Sequence, residues 1–418
     1  GTALDERLFT FLERVLLVDP PSYIAAERDR WLAFVLRWQQ FTGRVMAKGV
    51  EDTAFYNFNR LISLNEVGGE PGRGDFDPVE DFHQRNERVQ REWPDTMNAT
   101  STHDTKRSED VRARISVLSE IPDVWEREVR RWRVMNAVHR AGDVPGPNEE
   151  LLVYQTLIGM WPFDEEEIPE VPERLRQYLE KAAREAKTHT SWIAPDAEYE
   201  KAYLDFATAI LGHADFMKSF VRFQRRIAFH GYLNALAQLV LKIGAPGVPD
   251  FYQGTEMWDF SLVDPDNRRP VDYDRRRAML KKLKASADRD SLDVGTMLRR
   301  SFDGRVKLFV MWRGLELRRR RAELFQRGAY ARLRSDSPSV VGFTRGEEII
   351  VAAPRLTTKL VKPGTQPVGD AWKSATLEGA PAGNWRNVFT NETLEIDGPL
   401  RLADLFAIFP VAILERNE

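Results

Sequence analysis

The chain has no cysteine and only 6 histidines among its 418 residues. The first absence removes disulfides, thiolate metal sites and cysteine nucleophiles together, and it fits a reducing cytoplasm. The second argues against a histidine-rich metal centre. Long apolar runs are missing as well: none approaches the ~20 residues that a membrane-spanning helix needs. The first residues also lack the basic, apolar and small-residue order of a signal peptide. Charge of one sign is not in excess, since 61 Lys and Arg face 64 Asp and Glu for a net charge of −3. No global field therefore favours nucleic acid or a membrane surface, and the run Arg318 to Arg321 is a weak signal on its own. Neither a P-loop nor a G-x-G-x-x-G pattern is present, and no repeat is evident.

Apolar residues make up 42% and charged residues 30%, the balance of an ordinary globular protein, and the length allows two to three domains. The stretch Asn98 to Arg114, NATSTHDTKRSEDVRAR, sets a His-Asp pair between small hydroxylated residues and a dense charge cluster. Ser108 to Arg114 suits the first turns of a helix, with Glu109 and Asp110 near its positive end. His103 and Asp104 thus fall on a strand-to-helix loop. In an α/β barrel such loops carry the chemistry, although the pair could equally cap the helix that follows.

Elsewhere the pattern alternates between regimes. Residues 1 to 44 carry two helical patterns, the second with Trp31, Phe34, Val35 and Trp38 on one core face. Arg44 to Ala47 reads as a short buried strand, with Lys48, Glu51 and Asp52 at its end. Asn65, Glu66, Gly68 and Gly69 close a turn-rich segment. Residues 106 to 225 read as mainly helical, with a loop around Trp192 whose indole could stack on a sugar ring or pack on a helix. A long helix from Arg222 to Lys242 precedes a stretch dense in Pro, Gly, aromatics and carboxylates, which a binding surface explains better than a connector. Val306 to Trp312, Val340 to Thr344, Glu348 to Ala352 and Ala407 to Leu414 read as the short strands of a β-sandwich.

Five long motifs occur in order: AKGVEDTAFY (Ala47 to Tyr56), SLNEVGGEP (Ser63 to Pro71), STHDTKRSEDVRAR (Ser101 to Arg114), REAKTHTSW (Arg184 to Trp192) and PDFYQGTEMWDFSLVDPDNRRPVDY (Pro249 to Tyr273). Together they resemble maltooligosyl trehalose synthase of the α-amylase superfamily. The resemblance implies an α/β plus all-β fold: the C-terminal portion of a (β/α)8 barrel with a large helical insertion, followed by a β-sandwich domain. Barrel strands six and seven would lie in residues 1–105, the insertion in 106–225, the strand-eight region in 226–288 and the sandwich in 289–418. The resemblance makes Asp104 the third catalytic carboxylate, with His103 beside it on the sugar. Lys48, Glu51, Asn65, Glu66, Trp192, Tyr252, Asp266, Asn267, Arg268 and Arg269 become candidates for substrate binding, Asp264 belonging to the same loop. For the last group a network that only shapes the loop is the alternative.

The implied activity is that of an isomerase, a (1→4)-α-D-glucan 1-α-D-glucosylmutase that forms trehalosyl ends on maltooligosaccharides, with no metal or organic cofactor. The nucleophile and acid/base motifs of the family are not found upstream of Lys48, and the chain opens at Gly1 into an apolar helical pattern. The expectation is therefore a C-terminal part of the enzyme, inactive alone and completed by an N-terminal half. An amylase-like hydrolase portion and a noncatalytic glucan-binding fragment are the alternatives.

Overall fold

A computed structural model describes residues 6–19, 22–72, 74, 77–289 and 291–417, so the opening at Gly1 lies outside the described residues. Two amphipathic helices come first, α1 (Glu6–Leu16) and α2 (Arg28–Met46). The strand expected over Arg44 to Ala47 is instead the end of α2 and the start of a π-helical turn, Ala47–Glu51. Extending an existing helix needs no new nucleus, so four residues of mixed propensity follow it. The aromatics of α2 also depart from expectation. Val35 is buried, but Phe34 and Trp38 are exposed, as are Phe9, Leu12 and Phe41.

Helix α3 (Pro78–Glu92) begins with Pro78 in its first turn, and the Asp77 carboxylate accepts the N–H groups of Val79 and Glu80. Two short parallel strands follow, β1 (Met97–Asn98) and β2 (Val248–Pro249), with Met97 opposite Val248. Between them the chain is helical: α4 (Glu109–Ser116), α5 (Pro122–Met135), α6 (Pro147–Met160), α7 (Val171–Ala186), α8 (Ala197–Leu211) and α9 (Ala214–Gly244). Proline opens α5 and α6 and sits in the first turn of α7, where a missing N–H costs nothing. Their shared core centres on Trp132, packed edge-on against Tyr154 and Phe216 at 5.3 and 5.6 Å.

The 31 residues of α9 join two hydrophobic cores. Phe216 to Ile227 face the helical core, whereas Phe229 to Ile243 pack with later helices and the sheet. After β2 come α10 (Tyr273–Asp288), α11 (Val294–Arg299), α12 (Arg305–Arg320) and α13 (Ala322–Arg327). Val306 to Trp312, expected as a strand, is thus the body of α12. A helix buried on several sides presents a continuous apolar run that periodicity cannot tell from a buried strand.

The remaining strands are β3 (Tyr330–Ser335), β4 (Val340–Arg345), β5 (Ile349–Pro354), β6 (Thr376–Glu378), β7 (Gly383–Asn387), β8 (Thr393–Ile396), β9 (Leu400–Arg401) and β10 (Ala412–Arg416). A short helix, α14 (Leu402–Leu405), precedes β10, so only the end of the run Ala407 to Leu414 is a strand. In place of the two sheets of a sandwich, all eight strands form one antiparallel sheet in the order β8-β7-β10-β5-β4-β3-β6-β9. Leu377 from one end and Trp385 and Ile396 from the other share a core, which requires the sheet to curl. Along β5, Ile349 and Val351 face α9 while Ile350 and Ala352 face that inner core, the period of two expected of a strand buried on both sides.

Candidate functional site

His103 and Asp104 occupy an exposed turn between β1 and α4. The turn is closed internally: Asp104 N–H donates to Thr102 Oγ1 at 3.2 Å, and Thr105 Oγ1 donates to the Thr102 carbonyl at 2.9 Å. It is also held from outside. Asn267 Nδ2 donates to the His103 carbonyl at 3.0 Å, and Tyr252 Oη donates to the Asn267 carbonyl at 3.3 Å. On the other flank the buried Glu66 carboxylate accepts the backbone N–H of Lys106 at 2.8 Å and that of Arg107 at 3.2 Å. Arg107 is itself buried and donates to Tyr178 Oη at 2.6 Å, tying the turn to α7.

Lys48 projects beside this turn from the π-helical turn after α2. Its ammonium pairs with Asp52 at 2.5 Å, and Asp52 also receives Lys106 Nζ at 2.6 Å. Burial alone would raise the Asp52 carboxyl, but the hydrogen bonds from Lys106 and Lys48 outweigh it and hold it below the usual value. Lys48 is raised, first through its Asp52 bond and then through that charge, with Glu185 and Asp104 adding to the effect. Glu185 accepts the indole N–H of the exposed Trp192 at 3.0 Å, which brings Trp192 to the same rim. Glu51 accepts the N–H of Gly68 at 3.0 Å and closes the segment between them.

Several candidates act as braces in this geometry. Asn65 is fully buried, and its amide donates to the carbonyls of Phe55 and Phe58 at 2.9 and 2.7 Å. Enclosed in this way, Asn65 gives its amide N–H groups to the backbone of its own segment. The carboxylate of Glu66 likewise faces the backbone of the turn. Asp266 forms a two-pronged pair with Arg174, both N···O distances 2.8 Å, and accepts Leu262 N–H at 2.8 Å. Arg269 reaches Asp266 and Glu170, while the more exposed Arg268 lies 3.8 Å from Asp264. Asp264 is held below its usual value because Lys181, together with the charges of Arg268 and Lys106, overcomes the opposing effect of burial.

Under the turn lies a buried charge network that sequence reading did not find. Lys307 of α12 donates to Glu109 at 2.8 Å and to both Asp110 oxygens at 2.9 and 2.8 Å. Lys242 of α9 donates to Thr100 Oγ1 at 2.6 Å, to Glu109 at 3.3 Å and to the Asp250 carbonyl at 2.9 Å. Burial opposes ionisation of Glu109, yet the two ammonium groups hold it well below the usual range. Burial pushes Asp110 up, to about 6. Lys106 lay within a recognised motif, and Asp52 beside Lys48. Lys307 carried no signal, because its run read as a strand.

A cleft of about 820 Å³ is lined by Phe163, Trp258, Phe302, Arg174, Asp266 and Asn267 among others, but not by His103, Asp104 or Lys48. Among the described residues no cluster of three or more Asp, Glu or His could hold a metal ion. None of the described helices is long and apolar enough to cross a membrane.

No protein-family model matches the chain. Two curated relatives from Mycobacterium tuberculosis strains that carry the name maltooligosyl trehalose synthase are each 38% identical over 399 residues, 94% of this chain and 47% of their own length. The solved maltooligosyltrehalose synthase from Arthrobacter ramosus superposes with a TM-score of 0.74 at 36% identity, covering 94% of this chain and 50% of that one. A further maltooligosyl trehalose synthase crystal structure gives 0.76 at 33% identity, covering 95% and 50%. The chain thus spans about half the length of the curated relatives it matches. By sequence and by fold it is similar to the maltooligosyl trehalose synthases, as a counterpart of their C-terminal-like part.

Proposed function

We propose that this chain supplies the C-terminal half of a maltooligosyl trehalose synthase, an isomerase that converts the reducing-end α-1,4 linkage of a maltooligosaccharide into an α,α-1,1 linkage. The observation that carries this reading is the exposed His103–Asp104 turn, braced by Glu66 and Asn267. It occurs in a chain 38% identical to relatives of that name. Asp104 accepts hydroxyls of the glucosyl ring and stabilises its oxocarbenium-like transition state. His103 donates to a neighbouring hydroxyl. Lys48 and Glu51 furnish the acceptor pocket, in which the released glucose is kept and water excluded. Trp192 and Tyr252 offer aromatic faces, and Arg268 a guanidinium, to the glucan.

A retaining mechanism needs a nucleophile and an acid/base carboxylate roughly 5 to 5.5 Å apart. In this reading both belong to an N-terminal half, and this chain alone does not turn substrate over. The pairing of β1 with β2 supports their reading as neighbouring barrel strands, with residues 106–225 inserted between them. The exposed apolar side chains of α1 and α2 support a surface that the companion half covers. A cysteine-free composition suits a cytoplasmic setting.

Joining the chain to an N-terminal half that carries the two carboxylates, and assaying maltoheptaose, tests the reading. A nonreducing trehalosyl product is expected, and Asp104→Asn is expected to lower kcat by about 100-fold or more. Release of reducing sugar alone would indicate a hydrolase, and near-normal turnover of the Asn variant would remove the role given to Asp104.

A further inference from the structure

Four buried charges meet under the His103–Asp104 turn, and their partners come from widely separated parts of the chain. Ser101 Oγ accepts the N–H of Glu109 at 2.8 Å, so the segment from 101 to 109 closes on itself immediately above the network. Thr100 enters the segment and Glu109 and Asp110 leave it. All three are bonded to Lys242 or Lys307. The carbonyl of Asp250, just after β2, is bonded to Lys242 as well. The Glu109, Asp110 and Lys307 side chains are at most 2% exposed.

Such a network is a poor device for stability alone. Desolvating two ammonium groups and two carboxylates offsets most of their attraction, and well-packed apolar residues usually serve as well. What directed, charge-assisted bonds add is one defined geometry. Lys307 reaches this place from α12, which packs with α9 and the sheet in one core. The turn is therefore tied, through Glu109 and Asp110, to α12 and to the C-terminal module that α12 forms with the β3–β10 sheet.

We propose that Lys307 is a positioning residue for the His103–Asp104 turn, acting through Glu109 and Asp110 and coupling the C-terminal module to the candidate site. It touches no substrate. The consequence for turnover rests on the role given to Asp104, but the positioning itself can be read in the 418-residue chain without activity.

The test compares the wild-type chain with Lys307→Met and with the double variant Lys307→Met, Asp110→Asn, which buries no unpaired charge. NMR signals of the His103 ring are followed, with His83, hydrogen-bonded to Tyr330, as a remote control. Amide exchange at Lys106 and Arg107 and thermal unfolding are measured on the same samples. The expected result is a moved His103 signal with His83 unchanged, and exchange at Lys106 and Arg107 faster by about tenfold or more. The double variant is expected to recover the unfolding midpoint but not the His103 signal. Should Lys307→Met not fold, the double variant supplies the same readout. Unchanged His103 signals and exchange in a folded variant would overturn the proposal, as would recovery of stability and His103 signal together. In the joined enzyme the double variant is expected to lower kcat with KM nearly unchanged. If Asp104→Asn were fully active while His103 still moved, the reading of Asp104 would fail and the positioning role would stand.

Discussion

The Glu66 carboxylate accepts the backbone N–H of Lys106 at 2.8 Å across 40 residues of chain. This one bond joins two recognised motifs, and with the second bond to Arg107 it fixes the chain immediately after Asp104. An acidic side chain that resembled a sugar ligand in sequence is spent on the backbone of the turn that carries the candidate catalytic group.

Glu66→Ala leaves two largely enclosed N–H groups without an acceptor, and a cost of about 3 kcal/mol follows. Glu66→Gln keeps one acceptor oxygen and is expected to cost about 1 kcal/mol. Urea unfolding of the two variants gives the ranking. Equal midpoints would show that the turn finds other acceptors.

Arg174→Met removes the two-pronged partner of Asp266, whose side chain is only 10% exposed. With only the more exposed Arg269, 3.1 Å away, left to compensate it, this carboxylate is expected to destabilise the chain by about 2 kcal/mol. Arg174→Met combined with Asp266→Asn should recover part of this loss. A double variant no better than the single one would mean that packing of the Arg stem outweighs the ion pair.

At the crossing of α4 and α9, Gly231 lies against Arg114. A Cβ placed at Gly231 would sit 2.5 Å from Arg114 Cγ and 3.0 Å from its Cα. Arg114 is fully buried and lodged against Phe260, so it has no room to withdraw. Gly231→Ala is expected to cost about 2 kcal/mol through overpacking, despite the better helix propensity of Ala. A raised unfolding temperature would contradict this packing.

His230 on α9 is buried, shares a hydrogen bond with Thr357 Oγ1 at 3.0 Å, and is held down at about 4, by burial first and by Arg226 second. The unfolded chain takes up that proton near the ordinary value of 6.5, whereas the folded chain does so only near 4. The unfolded state therefore binds more protons in this window. Stability present above pH 6.5 falls as the pH drops toward 4, by on the order of 2 kcal/mol at pH 5 from this group. Urea midpoints at pH 7 and pH 5 should show a smaller drop for His230→Asn than for the wild type. An identical drop would assign the acid sensitivity to other groups.

Much of the architecture was legible because it is written between near neighbours. The helical character of residues 106 to 225 follows from spacing and from Pro and charge at the helix starts, and β4 and β5 from short apolar runs bounded by turns. The five motifs carried the resemblance to maltooligosyl trehalose synthases, and the His103–Asp104 pair fell on a loop leading into a helix as its composition implied.

What local pattern could not convey was which side each apolar or charged residue would face. Val306 to Trp312 is a helix because α9 and the sheet enclose it, and no periodicity within seven residues reports that. Glu66 is a brace because the backbone N–H groups of Lys106 and Arg107, from a segment some 40 residues on, occupy its carboxylate. Lys307 meets Glu109 from 198 residues away. By itself the sequence determined the types of most elements and the residues available for chemistry. Only the tertiary structure decided which of those residues remain free for a ligand, because burial and bonding partners are set by segments far apart in the chain.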